Sequence, residues 1–65
     1  MRVFVNGEPV KVRPGRLSDV LVSLGYECEK IAVAVNETFV PRPTWDSCEL
    51  KTDDRVDVLA AIQGG

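Results

Sequence analysis

The sequence predicts an α+β domain: a mixed sheet of four to five strands packed on one helix. Three observations predict it. Alternating apolar runs stand near both ends of the chain, a single apolar stripe at helical spacing lies between them, and turn residues mark nearly every boundary. Each of these elements is apolar on one side only, so one sheet and one helix satisfy each other by burying their apolar faces together.

From Arg2 to Asn6 polarity nearly alternates, which puts Val3 and Val5 on one face and Arg2, Phe4 and Asn6 on the other. Asn6-Gly7 follows, a dipeptide that accepts the positive φ angles of a tight hairpin turn, and Val10 and Val12 resume the alternation around Lys11. The first two strands therefore form a hairpin, which Pro14-Gly15 ends. Leu17, Val20, Leu21 and Leu24 then draw a stripe along one helix face. Gly25 stops that helix, and Asp19 in its first turn complements the positive helix end by about 0.3–1 kcal/mol.

Ile31, Val33 and Val35 alternate with Ala32 and Ala34, a third strand covered on one face and closely approached on the other. After Asn36 the stretch Val40-Pro41-Arg42-Pro43-Thr44-Trp45 sustains neither a regular helix nor a central strand, and reads as a crossing loop with room for a short strand and a turn. Trp45 caps one end of the core there. Past Asp53-Asp54, the residues Val56, Val58, Ala60 and Ile62 alternate with Asp57, Leu59 and Ala61 to give the final strand. The inward set is Val3, Val5, Val10, Val12, Ile31, Val33, Val35, Val56 and Val58, all covered by the helix stripe. This order of elements is that of a β-grasp, the ubiquitin-like fold. Its body spans residues 1–62, with residues 63–65 as a flexible tail.

Size and composition narrow the function. A chain of 65 residues makes one domain and buries only about 60% of its unfolded surface. That leaves little room for a substrate pocket of ~300 Å³ or more, and the absence of histidine removes the side chain best suited to proton transfer near neutrality. A carrier or binding module is favoured over an enzyme. Ten acidic against eight basic residues, the latter spread along the chain, argue against a nucleic-acid partner, which requires a clustered positive face. Cys28 and Cys48 lack the spacing of a zinc or dithiol motif and read as reduced thiols, with a disulfide or a sulfur-relay role as alternatives. No run resembles a signal peptide or a membrane span, so no membrane partner is expected and the expected address is the cytoplasm.

The closing Gly64-Gly65 is the one element with a chemical reading. Lacking a Cβ, two glycines pass through a channel too narrow for other residues and leave a terminal carboxylate unhindered. The carboxylate of Gly65 is then the working group, activated by another enzyme, with Gly64 and Gln63 as the threaded segment. The alternative is an inert end. Phe4 and Leu59 point away from the helix, and because the first and last strands are neighbours in this fold they are expected to form one apolar docking patch beside the tail. Arg42 is a candidate for an ion pair with the partner.

Taken together, Ile31-Ala32-Val33-Ala34-Val35-Asn36, Val40-Pro41-Arg42, Trp45, Asp54-Arg55-Val56 and Gly64-Gly65 resemble the ThiS family, the small sulfur carriers of thiamin biosynthesis, over nearly the whole chain. Asn36-Glu37 and Thr52-Asp53-Asp54 depart from it, since the family usually has glycine at the middle of each turn. The resemblance implies a carrier cycle. A ThiF-type, E1-like enzyme adenylates the Gly65 carboxylate, a persulfide supplied by a donor such as a cysteine desulfurase converts it to a thiocarboxylate, and a ThiG-type thiazole synthase takes the sulfur. ATP and Mg²⁺ belong to the activating partner, and the chain is expected to bind no cofactor or metal of its own. The small subunit of molybdopterin synthase, another sulfur carrier, a ubiquitin-like modifier that ends on a lysine, and a plain interaction module are the alternatives.

Overall fold

A computed structural model describes residues 1–60. Its sheet has five strands in the order β2-β1-β5-β3-β4, formed by β1 (Arg2–Val5), β2 (Glu8–Lys11), β3 (Ile31–Val35), β4 (Thr38–Phe39) and β5 (Arg55–Ala60). One helix, α1 (Leu17–Ser23), covers the inner face. β1 runs parallel to β5, and the remaining pairs are antiparallel. The sheet is thus mixed, as the sequence predicts, and β5 is its central strand.

Each boundary has a local cause. Asn6 and Gly7 have φ of 51° and 84°, the doubly left-handed geometry of a type I′ hairpin turn, which matches the twist of the strands it joins. α1 begins by donating the Leu17 N–H to the Cys48 carbonyl at 2.7 Å, which satisfies one of the donors a helix start leaves open. It ends in a Schellman motif. Gly25 has φ 86°, its N–H donates to the Val22 carbonyl at 3.0 Å, and the Tyr26 N–H reaches back to the Leu21 carbonyl at 3.1 Å.

The core joins Val3, Val5, Leu17, Val20, Leu21, Val33, Trp45, Leu50, Val56 and Val58, and Val10, Val12, Ile31 and Val35 pack against it half-buried. Leu17 and Leu21 are fully buried, each contributing roughly 2–3 kcal/mol of transfer free energy. Trp45 lies in a 3₁₀ segment, Arg42–Ser47, that packs on α1. Its indole N–H donates to the Val40 carbonyl at 2.8 Å, so the ring is buried without stranding its one polar atom.

Two details differ from the sequence reading, and the short strand for which it left room after Asn36 stands just before the prolines. The second strand is Glu8–Lys11, and Val12 continues the ladder only by exchanging hydrogen bonds with Met1 at 2.8 and 2.9 Å. A two-residue strand, β4, precedes the prolines and is joined to β3 by Asn36-Glu37. Leu50, which no apolar period marks, is buried in the core; its N–H donates to the Gly15 carbonyl at 3.1 Å, which tucks it under the start of α1.

Candidate functional site

The described part of the site is the strand that leads to the tail and the sheet face around it. β5 has a hydrogen-bonded neighbour on each side, β1 and β3, and Val56 and Val58 are buried on its inner face while Arg55, Asp57 and Leu59 are exposed. The register of β3 with β5 pairs Ala32 with Leu59 and Ala34 with Asp57, and β4 adds Phe39 opposite Ala34. On the outer face, Leu59, Ala32, Ala34 and Phe39 therefore adjoin. Leu59 and Phe39 are 69% and 65% exposed.

Phe4 lies on the same face but not beside Leu59. Its register partner on β5 is Arg55, which puts Leu59 four positions farther along, about 13 Å at strand rise. The Arg2 guanidinium covers the Phe4 ring at 5.1 Å from its centroid, and Phe4 is half-buried. The single patch expected from Phe4 and Leu59 is thus two separate places. The parallel stagger of β1 against β5, which no local pattern sets, separates them. The apolar residue directly beside Leu59 is Ala32, and Phe39 lies one strand farther out, opposite Ala34.

Arg42 opens the 3₁₀ segment Arg42–Ser47 with its side chain exposed. Gln63, Gly64 and Gly65, with Ala61 and Ile62, lie outside the described residues. Cys28 and Cys48 are free thiols, both half-buried. Burial, and secondarily the negative charge of Asp54, push the Cys48 thiol above its ordinary pKa; its thiolate, the nucleophilic form, is correspondingly scarce near neutrality. Among the described residues no group of His, Cys, Asp and Glu is placed to hold a metal ion, and no helix is long and apolar enough to cross a membrane.

A mixed sheet wrapped on one helix, with its central strand leading to the last residues, defines a ubiquitin-like β-grasp domain. The family model that matches is that of the ThiS family, over residues 3–65, and the chain belongs to that family. Among similar proteins, the sulfur carrier protein ThiS of Thermus thermophilus is 35% identical over 63 residues, covering 97% of this chain and 98% of that protein. A thiazole synthase of Magnetococcus marinus is 38% identical over 66 residues; the alignment takes in all of this chain, which spans only 20% of that protein's length. The crystal structure of a thiamine biosynthesis protein, ThiS, from Geobacter metallireducens superposes over the whole of both chains with a TM-score of 0.86 at 28% identity.

Proposed function

We propose that this chain is a sulfur carrier of thiamin biosynthesis, a co-substrate that partner enzymes modify at Gly65 and that has no catalytic activity of its own. The observation that carries the reading is the extent of the family match: it runs to residue 65 and so takes in Gly64-Gly65 together with the whole domain.

The chemistry follows from what a carboxylate lacks. Its charge and poor leaving group make it resist nucleophiles, so it must first be converted to a mixed anhydride. In a ThiF-type, E1-like partner that binds ATP and Mg²⁺, a Gly65 carboxylate oxygen attacks the α-phosphorus, the bond to pyrophosphate breaks, and the acyl adenylate forms. The terminal sulfur of a persulfide, supplied by a donor such as a cysteine desulfurase, then attacks the carbonyl carbon and AMP leaves. A thiol cleaves the resulting S–S bond, which yields the thiocarboxylate and a disulfide. The thiocarboxylate is the sulfur source for thiazole formation by a ThiG-type partner. That a thiazole synthase is among the similar proteins supports this pairing.

Three extended residues reach roughly 10 Å, which lets Gln63, Gly64 and Gly65 enter a partner's active site while the body docks outside. For that docking the outer face around Leu59 is better suited than Phe4, because Leu59 is open and lies next to the C-terminal end of β5. Arg42, on the 3₁₀ segment that packs on α1, is the candidate for an ion pair with the partner, a contact of small energy and mainly of orientation.

The decisive experiment is incubation with ATP, the activating enzyme and a sulfur donor, followed by intact mass. Replacement of one oxygen by one sulfur supports the carrier. A branched lysine remnant on other proteins, with the chain itself unsulfurated, supports a modifier and overturns it.

A further inference from the structure

The ladder between β1 and β5 continues past the end of β1, and a side chain continues it. The Phe4 N–H donates to the Asp54 carbonyl and the Asn6 N–H to the Val56 carbonyl, both at 2.9 Å, successive rungs of a parallel pair. The next rung requires a carbonyl on residue 6 facing the Val58 N–H. The main chain has already turned away there, since Asn6 and Gly7 take φ of 51° and 84° into the hairpin. The amide of the side chain supplies the missing group: Asn6 Oδ1 accepts from the Val58 N–H at 2.8 Å. Asparagine is apt because it tolerates the left-handed conformation and places a carbonyl where its own backbone carbonyl would have been.

We propose that Asn6 is a positioning residue for the reactive end of the chain, a role that rests on the reading of Gly65 as the adenylated group. Val58 precedes Leu59 and Ala60, the last residues of β5 before residues 61–65. On one flank these positions are held by β3, with Val58 opposite Val33 and Ala60 opposite Ile31. On the other flank β1 is finished, and among the described residues the Asn6 amide is what holds Val58. Without it the end of β5 is tethered along one edge and pivots on the β3 ladder, adding soft dihedrals between the docked body and the carboxylate. Adenylation needs that carboxylate held near 3–3.5 Å from phosphorus and in line, a geometry that small displacements spoil.

The test uses two variants that keep the turn. Asn6→Gly accepts positive φ but has no side-chain carbonyl, whereas Asn6→Asp has both. ATP–pyrophosphate exchange is measured with the activating enzyme, and amide hydrogen exchange on the carrier alone. For Asn6→Gly, kcat falls on the order of tenfold with KM within about twofold of wild type, because docking is untouched while placement is lost. The Val58 N–H loses protection and the Leu59 N–H, which faces Ala32 on β3, keeps it. Asn6→Asp restores both readouts to within about twofold of wild type. An Asn6→Gly variant with wild-type kcat, with a raised KM alone, or with undiminished Val58 protection overturns the positioning role. If the wild-type chain itself supports no exchange, the Gly65 reading falls first and this proposal with it.

Discussion

Asn36 and Arg55 exchange two hydrogen bonds as an antiparallel strand pair does, except that one of the two carbonyls belongs to a side chain. The Asn36 N–H donates to the Arg55 carbonyl at 2.7 Å, and the Arg55 N–H donates to Asn36 Oδ1 at 2.9 Å. Asn36 Nδ2 also donates to Asp54 Oδ1 at 3.0 Å, and Asp54 Oδ2 accepts from the Lys51 N–H at 2.8 Å. The start of β5 is thereby fixed to the β3–β4 turn and to the loop before it. Replacing Asn36 by Gly keeps the left-handed turn and deletes both side-chain bonds, so stability falls by about 1–2 kcal/mol, read from urea unfolding. Asn36→Asp is expected to be no better than Gly, since it sets a second carboxylate against Asp54. A stability equal to wild type for either variant would show these bonds to be decorative.

The second residue of that turn carries strain. Glu37 has φ 69°, a left-handed conformation that costs a residue with a Cβ roughly 1–2 kcal/mol, and its side chain makes no hydrogen bond or ion pair among those between described residues. Glu37→Gly relieves the strain and repays part of it in unfolded-chain entropy, for a net gain of about 1 kcal/mol, or about 4–8 °C in Tm for a domain this small. Asp53, with φ 70°, is the control. Its carboxylate takes the Arg2 Nε and Nη2 donors at 2.9 and 2.7 Å, so Asp53→Gly exchanges strain for a lost ion pair and moves Tm less.

These residues also mark where sequence reading ends. The hairpin, the helix stripe, Gly25 and the alternating strands were legible because each depends on a period or on a turn residue within a few positions. Glu37 and Asp53 take left-handed turn conformations without glycine because the surrounding ladder and the Arg2 pair hold them there. Leu50 was not legible, since Glu49 and Lys51 flank it and its burial comes from pairing with Gly15. Nor was the separation of Phe4 from Leu59, which depends on the stagger of two strands distant in sequence. The side-chain rungs of Asn6 and Asn36 were hidden for the same reason: the turn propensity of asparagine was visible, the strand it bonds to was not.

Docking through the outer face predicts a division of labour between two apolar residues. Leu59 is exposed, so Leu59→Ser changes folding stability by less than about 0.5 kcal/mol while weakening binding to the activating enzyme about tenfold. Phe4 is half-buried beneath the Arg2 guanidinium, and Phe4→Ser should lower stability with a smaller effect on binding. Titration calorimetry with the activating enzyme and thermal unfolding separate the two. The opposite pattern would place the docking surface at the hairpin end of the sheet.

Cys48 gives a pH signature. Burial and Asp54 raise its thiol pKa, so the folded chain holds the proton to higher pH than the unfolded chain does. Alkylation of Cys48 by iodoacetamide should accordingly lag that of an unstructured thiol at about pH 8 and catch up as the pH rises. The sign for stability is negative in the same direction. Above the ordinary thiol pKa the unfolded state releases its proton first, so the contribution of this group is present below that value and lost as pH rises toward the folded one. Asp54→Asn removes the smaller of the two causes and should speed alkylation modestly.

The tail proposal predicts that a single methyl at the right place stops the chemistry without touching the fold. Gly64→Ala and Gly65→Ala lie beyond the described sheet, so thermal unfolding of both should match wild type to within about 0.5 kcal/mol. In ATP–pyrophosphate exchange the expected loss is on the order of a hundredfold for Gly65→Ala and less for Gly64→Ala. A Cβ next to the carboxylate crowds the attacking oxygen itself, whereas one residue back it obstructs only the approach. Activity should also depend on the carboxylate being free, so an uncleaved extension after Gly65 is expected to abolish exchange while leaving binding of the body intact. Normal exchange by the Gly64→Ala/Gly65→Ala double variant would separate this chain from the proposed cycle, because a site indifferent to both side chains is not one through which the C-terminus is threaded.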